Sequence, residues 1–398
     1  MRGAWAPVFF LLAALAAVAR LGLASPQQPP APASQDSVDA QPYVWNLPKG
    51  FPKPRVPAAN PITPDKVQLG RYLFYDARIS ANGTESCATC HRQELAFTDG
   101  KARSVGATGQ LHPRGSMSLV NVAYGAALTW SDPDDRLLEE QALTPMFNTA
   151  PIEMGADREA LTRLIQSDPL YAKLFHKAFP DDSAPFTIGN VVRAIASFER
   201  TIISASSPYD RYHYGGDDKA ISDSAKRGEI LFFSEPLSCF RCHGGFNFSD
   251  ATDSDGRQQG EVQFHNTGLY NLAGALSYPA PNLGIYEQTS QPKDVGKFKA
   301  PTLRNIALTA PYMHDGSIVS LDGVLDHYSA GGRTIADAPF AGDGSRNPNK
   351  DRLIRGFKLT QQDRADLIAF LESLTDDQVI HDPRFASPWP ATETKTAR

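Results

Sequence analysis

Two short stretches of this 398-residue chain concentrate its reactive side chains: SCATCH supplies Cys87, Cys90 and His91, and SCFRCH supplies Cys239, Cys242 and His243. Four cysteines in an exported chain would first suggest two disulfides, but all four fall into C-x-x-C pairs followed at once by histidine. None is left over to staple distant parts of a fold. A thioredoxin-like redox pair explains neither the adjacent histidine nor the repetition. A structural zinc site drawing on all four thiols is a further alternative. Covalent c-type haem accounts for every feature: two thiols add to the haem vinyl groups, and the next residue turns its imidazole to the iron as proximal ligand. The expectation is two covalently bound haems, with His91 on the first iron and His243 on the second.

The elements around the two motifs repeat as well. LGRYLFYD precedes the first and RGEILFFSE the second, each a helix-like segment, and each motif is followed by a Phe-x-Asp element, Phe97-Thr98-Asp99 and Phe248-Ser249-Asp250. Apolar residues recur at three- and four-residue spacing over 157–179, 187–204 and 360–374, and the last stretch opens with Thr360 and Asp363 at capping-box spacing. Long alternating strand patterns are scarce. The expected fold is therefore mainly α, two cytochrome c-like haem domains packed against each other, with few short strands.

The first two dozen residues read as an export signal: Arg2, the apolar run FFLLAALAAV, and small residues at Gly22-Leu23-Ala24. The run is short for a bilayer span, so no membrane insertion is expected once the signal is cleaved; Arg20 leaves an uncleaved anchor as the alternative. The expected organisation is a signal peptide over 1–24, a Pro/Gln/Ala-rich disordered linker over 25–42, an N-terminal haem domain over 43–206, a C-terminal haem domain over 207–385 and a flexible tail over 386–398. A formal net charge of -5 without a Lys/Arg-rich run excludes nucleic acid as an electrostatic partner.

Beyond the haem motifs, VPAANPITPDKVQLGRYLFYDARISANGTESCATCH, LLEEQALTPM, PIEMG, FHNTGLYN, APTLRNIALTAPYMHDGSI and LDHYSAGG follow one another over residues 50–375. Together they resemble the bacterial di-haem cytochrome c peroxidase and MauG superfamily, most closely its MauG- and MbnH-type branch. The resemblance implies an exported, periplasmic haem-dependent oxidoreductase with hydrogen peroxide as acceptor. It would form high-valent haem and oxidise a periplasmic partner protein. Two alternatives are a cytochrome c peroxidase drawing electrons from small redox proteins, and a di-haem electron carrier without catalysis.

The resemblance also distributes roles. Peroxidases of the superfamily place an axial methionine on the second haem, but the methionines here are Met1, Met117, Met146, Met154 and Met313, none later in the chain. Tyr328 stands where MauG-type members carry an axial tyrosine, with Met313 and His327 as competing ligands. A hard phenolate favours oxidised iron, whereas a soft thioether favours the ferrous state. Gln141, Pro145 and Glu153 fall on the distal face of the first haem, where Glu153 would move the proton that O–O cleavage requires. His112 is a candidate resting ligand of that haem, a loop or propionate contact being the alternative. Trp130 matches the tryptophan between the haems, although Trp-Ser-Asp-Pro-Asp-Asp-Arg replaces the usual W-D-G-R. Thr309 and Pro311 match carbonyl donors to a possible calcium ion; Gly115 replaces an asparagine ligand, with water or Asn121 as substitute. His265 and His314 read as loop-fixing or propionate contacts, and His176, His213 and His381 as surface residues.

Overall fold

Thr63 opens the first helix, Pro64–Phe74, by accepting a hydrogen bond from the Lys66 amide, and Pro64 sits in the first turn where its missing N–H costs nothing. The helix buries Leu69, Leu73 and Phe74 and packs along Ile188–Glu199. Gly70 sets the depth of that contact: a Cβ there would lie 1.9 Å from the Ala194 carbonyl oxygen. The second half of the chain repeats the device, with Asp223–Phe232 packed along Gln361–Glu372 and a Cβ at Gly228 falling 1.9 Å from the Asp366 carbonyl oxygen. In both repeats, glycine is required by the close approach of a neighbouring backbone. The internal duplication of the sequence thus corresponds to a duplicated helix crossing.

The structure is a computed structural model that describes residues 41–257, 260–274 and 276–390. The expected signal peptide, the expected linker except its last two residues, and the final eight residues lie outside these. The protein is mainly helical. Among the described residues the only sheet is a two-stranded antiparallel ribbon pairing Thr334 with Asp343 and Ile335 with Gly342. No helix among them is long and apolar enough to cross a membrane.

The helical pattern of 157–179 forms two helices, Arg158–Ser167 and Pro169–Ala178. Pro169 cannot continue the first, and the Asp168 side chain accepts from Leu170 N–H to start the second. Thr360 and Asp363 form the anticipated reciprocal capping box at the head of Gln361–Glu372.

One large apolar cluster holds Leu69, Phe74, Phe97, Met146, Ile165 and Phe198; a second holds Tyr209, Phe232, Phe248, Leu367 and Phe370. Each is braced by a buried ion pair. Arg200 holds Glu139 with two bonds of 2.7 Å, and Arg304, 1% exposed, holds Asp210 at 2.8 and 2.9 Å.

The C-terminal stretch differs from expectation. Residues 376–390 return to the first apolar cluster, which Val379, Phe385 and Trp389 join. Ala386 to Pro390 had been expected to begin the flexible tail. Instead Arg71 donates to Ala386 O at 2.6 Å, Trp389 Nε1 donates to Tyr72 O at 3.1 Å, and the Arg78 guanidinium lies 5.0 Å from the Trp389 ring. A single indole with one satisfied N–H and an apolar face offsets the Pro- and Thr-rich context.

Candidate functional site

Cys87 and Cys90 occupy one helical turn, Cys87–Cys90, and His91 follows with its N–H bonded to Cys87 O at 2.9 Å. Cys239–Arg241 forms a tighter 3₁₀ turn at the second motif, and His243 N–H again bonds Cys239 O at 2.9 Å. The histidine rings are held alike: His91 Nδ1 lies 2.9 Å from Phe97 O, and His243 Nδ1 lies 3.1 Å from Phe248 O. Donation from Nδ1–H to these carbonyls fixes the tautomer and leaves Nε2 with its lone pair for iron. This explains the repeated Phe-x-Asp element. Phe97 and Phe248 adopt left-handed φ values of 61° and 50°, a strained geometry for a bulky residue that turns each carbonyl back to its histidine.

The donor set fits covalent haem at both places and does not fit zinc. The four cysteines are free thiols. Burial pushes the Cys87 thiol well up, Cys90 to about 11 and Cys239 to about 12. The two pairs do not converge. Among the described residues the one group of three close metal-type ligand atoms is Cys242, Asp250 and His265. Both nitrogens of that histidine are already committed, as described below.

Helix Leu321–Ser329 carries His327 and Tyr328 at adjacent positions, with ring centroids 5.0 Å apart in edge contact. Burial raises the Tyr328 phenol, and the next influences on it are the charges of Cys242 and Cys239, the second attachment pair. His327 is pulled down to about 4 by burial first and then by Arg333, with Lys350 adding to the effect. Neither His327 nitrogen has a hydrogen-bond partner. Met313, at a left-handed φ of 71°, lines the cavity that also contains Trp130, Thr309 and Pro311. His314 stacks on Phe298 with ring centroids 3.7 Å apart, and burial lowers it to about 4.

On the first site's far side, Gln141 ends helix Leu138–Gln141, and Pro145 lies in the following helix, Leu143–Phe147. Met154 N–H bonds Pro145 O at 2.9 Å and Ala156 N–H bonds Met146 O at 2.8 Å, which brings Glu153 beside Pro145. Desolvation raises the Glu153 carboxyl while His112 draws it back, and the Glu153 charge acts on both Cys87 and Cys90. A carboxyl biased toward its protonated form, within electrostatic reach of the first attachment pair, can carry a proton for peroxide chemistry. His112 Nε2 lies 3.8 Å from Glu153 Oε1.

The elements between the two sites enclose a cavity of about 130 Å³, lined by Gly115, Met117, Trp130, Lys299, Thr309 and Pro311 among others. Trp130 Nε1 donates to Gly115 O at 2.9 Å, so the glycine replacing the anticipated asparagine anchors the indole through its carbonyl. Asn121, the alternative oxygen ligand, ties the two halves of the chain together. Its side chain donates to Ser204 O and Asn247 Oδ1 at 3.1 Å each and accepts from Ser204 N at 2.8 Å. Lys299 donates from its backbone to Trp130 O at 2.9 Å, and burial lowers its amine to about 8.

His265 does more than its motif suggests. Nδ1 lies 2.7 Å from Asp351 Oδ2 and Nε2 lies 2.7 Å from Asp250 Oδ2. Burial pulls its pKa down, but the bonds to the two carboxylates override this and push it up to about 12. Asp250 N–H in turn bonds Cys242 O at 2.8 Å, so the imidazolium secures the second attachment loop. Asp351 carried no motif signal, since a contact 86 residues away is invisible in spacing. His176, His213 and His381 are exposed.

The family model for di-haem cytochrome c peroxidase matches residues 64–219. The chain is 36% identical over 346 residues to the methylamine utilization protein MauG of Methylorubrum extorquens, covering 86% of this chain and 87% of that one. The chain belongs to the di-haem cytochrome c peroxidase family. It is also 31% identical to the cytochrome c551 peroxidase of Pseudomonas aeruginosa, over 84% of this chain and 85% of that one. Among solved structures, a MauG-like protein associated with microbial copper homeostasis superposes with a TM-score of 0.85 at 46% identity, covering 87% of this chain and all of that one. As a di-haem peroxidase, the protein is a peroxide-using haem oxidoreductase, and its two C-x-x-C motifs are those of c-type haem attachment.

Proposed function

We propose that this di-haem peroxidase is exported to the periplasm, reacts with peroxide at its first haem and oxidises a partner protein, in the manner of MauG-type members. The surroundings of Tyr328 carry this reading: its buried phenol feels the charges of Cys242 and Cys239, while Met313 lines the central cavity. A phenolate ligand on the second iron suits an oxidised haem and disfavours the high-potential electron entry that a thioether gives. When bound, the two haems supply the redox chemistry. The chain supplies the rest. Glu153 carries a proton between the two oxygens of peroxide, Gln141 and Pro145 close the distal face, and Trp130, pinned at Nε1 by Gly115 O, offers an oxidisable ring between the two attachment sites.

In this reading each half of the body, divided near residue 206, holds one haem. A cation between the halves would draw on the carbonyls of Thr309 and Pro311 without Asn121. The 46% identity to a MauG-like protein associated with microbial copper homeostasis supports a MauG-type role. The test is electron paramagnetic resonance of the ferric protein and of Tyr328→Phe. A low-spin signal that disappears or shifts in the variant supports the reading; an unaltered one refutes Tyr328 ligation. Sustained peroxide turnover with reduced cytochrome c, without modification of a protein partner, would favour the cytochrome c peroxidase alternative.

A further inference from the structure

Residues 105–114 are built around Glu153 in a way that catalysis by the carboxyl alone does not require. Val105 and Leu111 bridge antiparallel, and Gly106 N–H bonds Gln110 O at 2.8 Å to close a small turn. The turn is clamped to the Glu153 loop. Ala107 N–H donates to Glu153 O at 2.7 Å, and Ile152 N–H donates to Gln110 Oε1 at 2.9 Å. Gly106 permits the approach, since a Cβ there would lie 1.9 Å from Ile152 O. Directly after the turn comes His112, tied by its N–H to Ser104 O at 2.8 Å and by its carbonyl to Arg103 Nε at 2.8 Å. Its Nε2 is thereby held 3.8 Å from Glu153 Oε1, with both side chains 29% exposed.

The other ring nitrogen sits at a backbone contact that offers both a donor and an acceptor: Nδ1 lies 3.2 Å from Arg114 N and 3.1 Å from Arg114 O. When Nδ1 accepts from Arg114 N–H, Nε2 carries the proton and donates toward an ionised Glu153. When Nδ1–H donates to Arg114 O, Nε2 presents its lone pair or, in the imidazolium, a positive N–H to the carboxyl 3.8 Å away. The Arg114 backbone thus supports either tautomer of the ring.

From this geometry we infer that His112 is a positioning residue for Glu153: its imidazole, held 3.8 Å from the carboxyl by the clamped turn, keeps that carboxyl aimed at the first haem's open face through packing and charge. The inference rests on the proposed role of the first haem as the open, peroxide-reacting site. It differs from iron ligation by His112, which would require Nε2 to leave Glu153.

Cyanide binding to the ferric, haem-loaded protein tests it without turnover. Hydrogen cyanide must give up its proton to a distal base before the anion binds iron, so its association rate reads the Glu153–His112 pair. Glu153→Gln should slow association about 100-fold, within the range of a general base. His112→Ala should slow it about 10-fold, and the double variant should be no slower than Glu153→Gln, because His112 acts through the carboxyl. His112→Gln, which keeps an N–H donor, should recover part of the loss. Association within about twofold of the parent in His112→Ala, or independent, multiplicative losses in the double variant, would overturn the inference. So would a low-spin signal of the first haem that vanishes in His112→Ala, which would make the residue an iron ligand. Failure of the parent protein to bind cyanide would instead strike the open-site reading itself, and the inference with it.

Discussion

Replacing His265 by leucine removes the cation that two carboxylates share beside the second attachment loop. In the native protein the histidine side chain is 12% exposed and each aspartate 21%. Removing one partner of a buried charge pair costs about 3–5 kcal/mol, and this partial exposure argues for the lower end, about 3 kcal/mol. For a cooperative unit of about 150–250 residues, each kcal/mol moves the midpoint by about 2–4 °C, so the variant should melt about 6–12 °C lower at pH 7.5.

The pH dependence has a definite sign. The pKa of His265 is raised, so its contribution is complete below its ordinary value of 6.5 and is lost only as pH rises through about 12. That of Asp351 is lowered, principally by its bond to His265, so its contribution is present above its ordinary 3.8 and fades as pH falls through the depressed value. Neutral pH lies inside both windows. Acidification from pH 7.5 toward pH 5 brings the His265 contribution in the native protein to its full value. Circular dichroism melts of both haem-loaded proteins at pH 7.5 and pH 5 measure it. A loss below about 2 °C at pH 7.5 would refute the ionised-triad account.

Glu153→Gln keeps the side chain's shape but removes its titration, and should lower the rate of the first spectral change with peroxide about 10²–10⁴-fold in stopped flow. Trp130→Phe keeps an aromatic ring but loses the N–H to Gly115 O; if the indole connects the sites, oxidation of a partner protein should fall while the initial peroxide reaction persists. Gly70→Ala should destabilise the first half by more than the roughly 1 kcal/mol that alanine normally adds to a helix, because its Cβ would meet Ala194 O, and chemical denaturation reads the sign. Arg304→Met strands Asp210 in the second core and should cost about 3–5 kcal/mol, visible as a lower urea midpoint or as loss of folded protein.

The parts of this protein that were legible in its sequence are those fixed by neighbours a few residues apart. The thiol pairs and proximal histidines lie within single turns, the Thr360–Asp363 capping box spans three residues, and the duplicated helices announce themselves by apolar spacing. Even the repeated Phe-x-Asp element was visible, although its purpose, a carbonyl returned to each histidine, became clear only from backbone geometry. The distal chemistry was decided elsewhere.

Which of Met313, His327 and Tyr328 faces the second attachment pair depends on how one helix rotates against a partner distant in sequence, and neighbouring positions on a helix point to different sides. Asn121 looked like a spare oxygen ligand until the fold surrounded it with Ser204 and Asn247. Trp389 looked like part of a tail until Tyr72 and Arg78 received it. His265 found one carboxylate 15 residues away and the other 86. Composition and spacing fix which groups are available and how single turns form. The direction each group faces, and what it is buried against, comes from long-range packing, because desolvation and Coulomb interactions depend on distance in space and have no period along the chain.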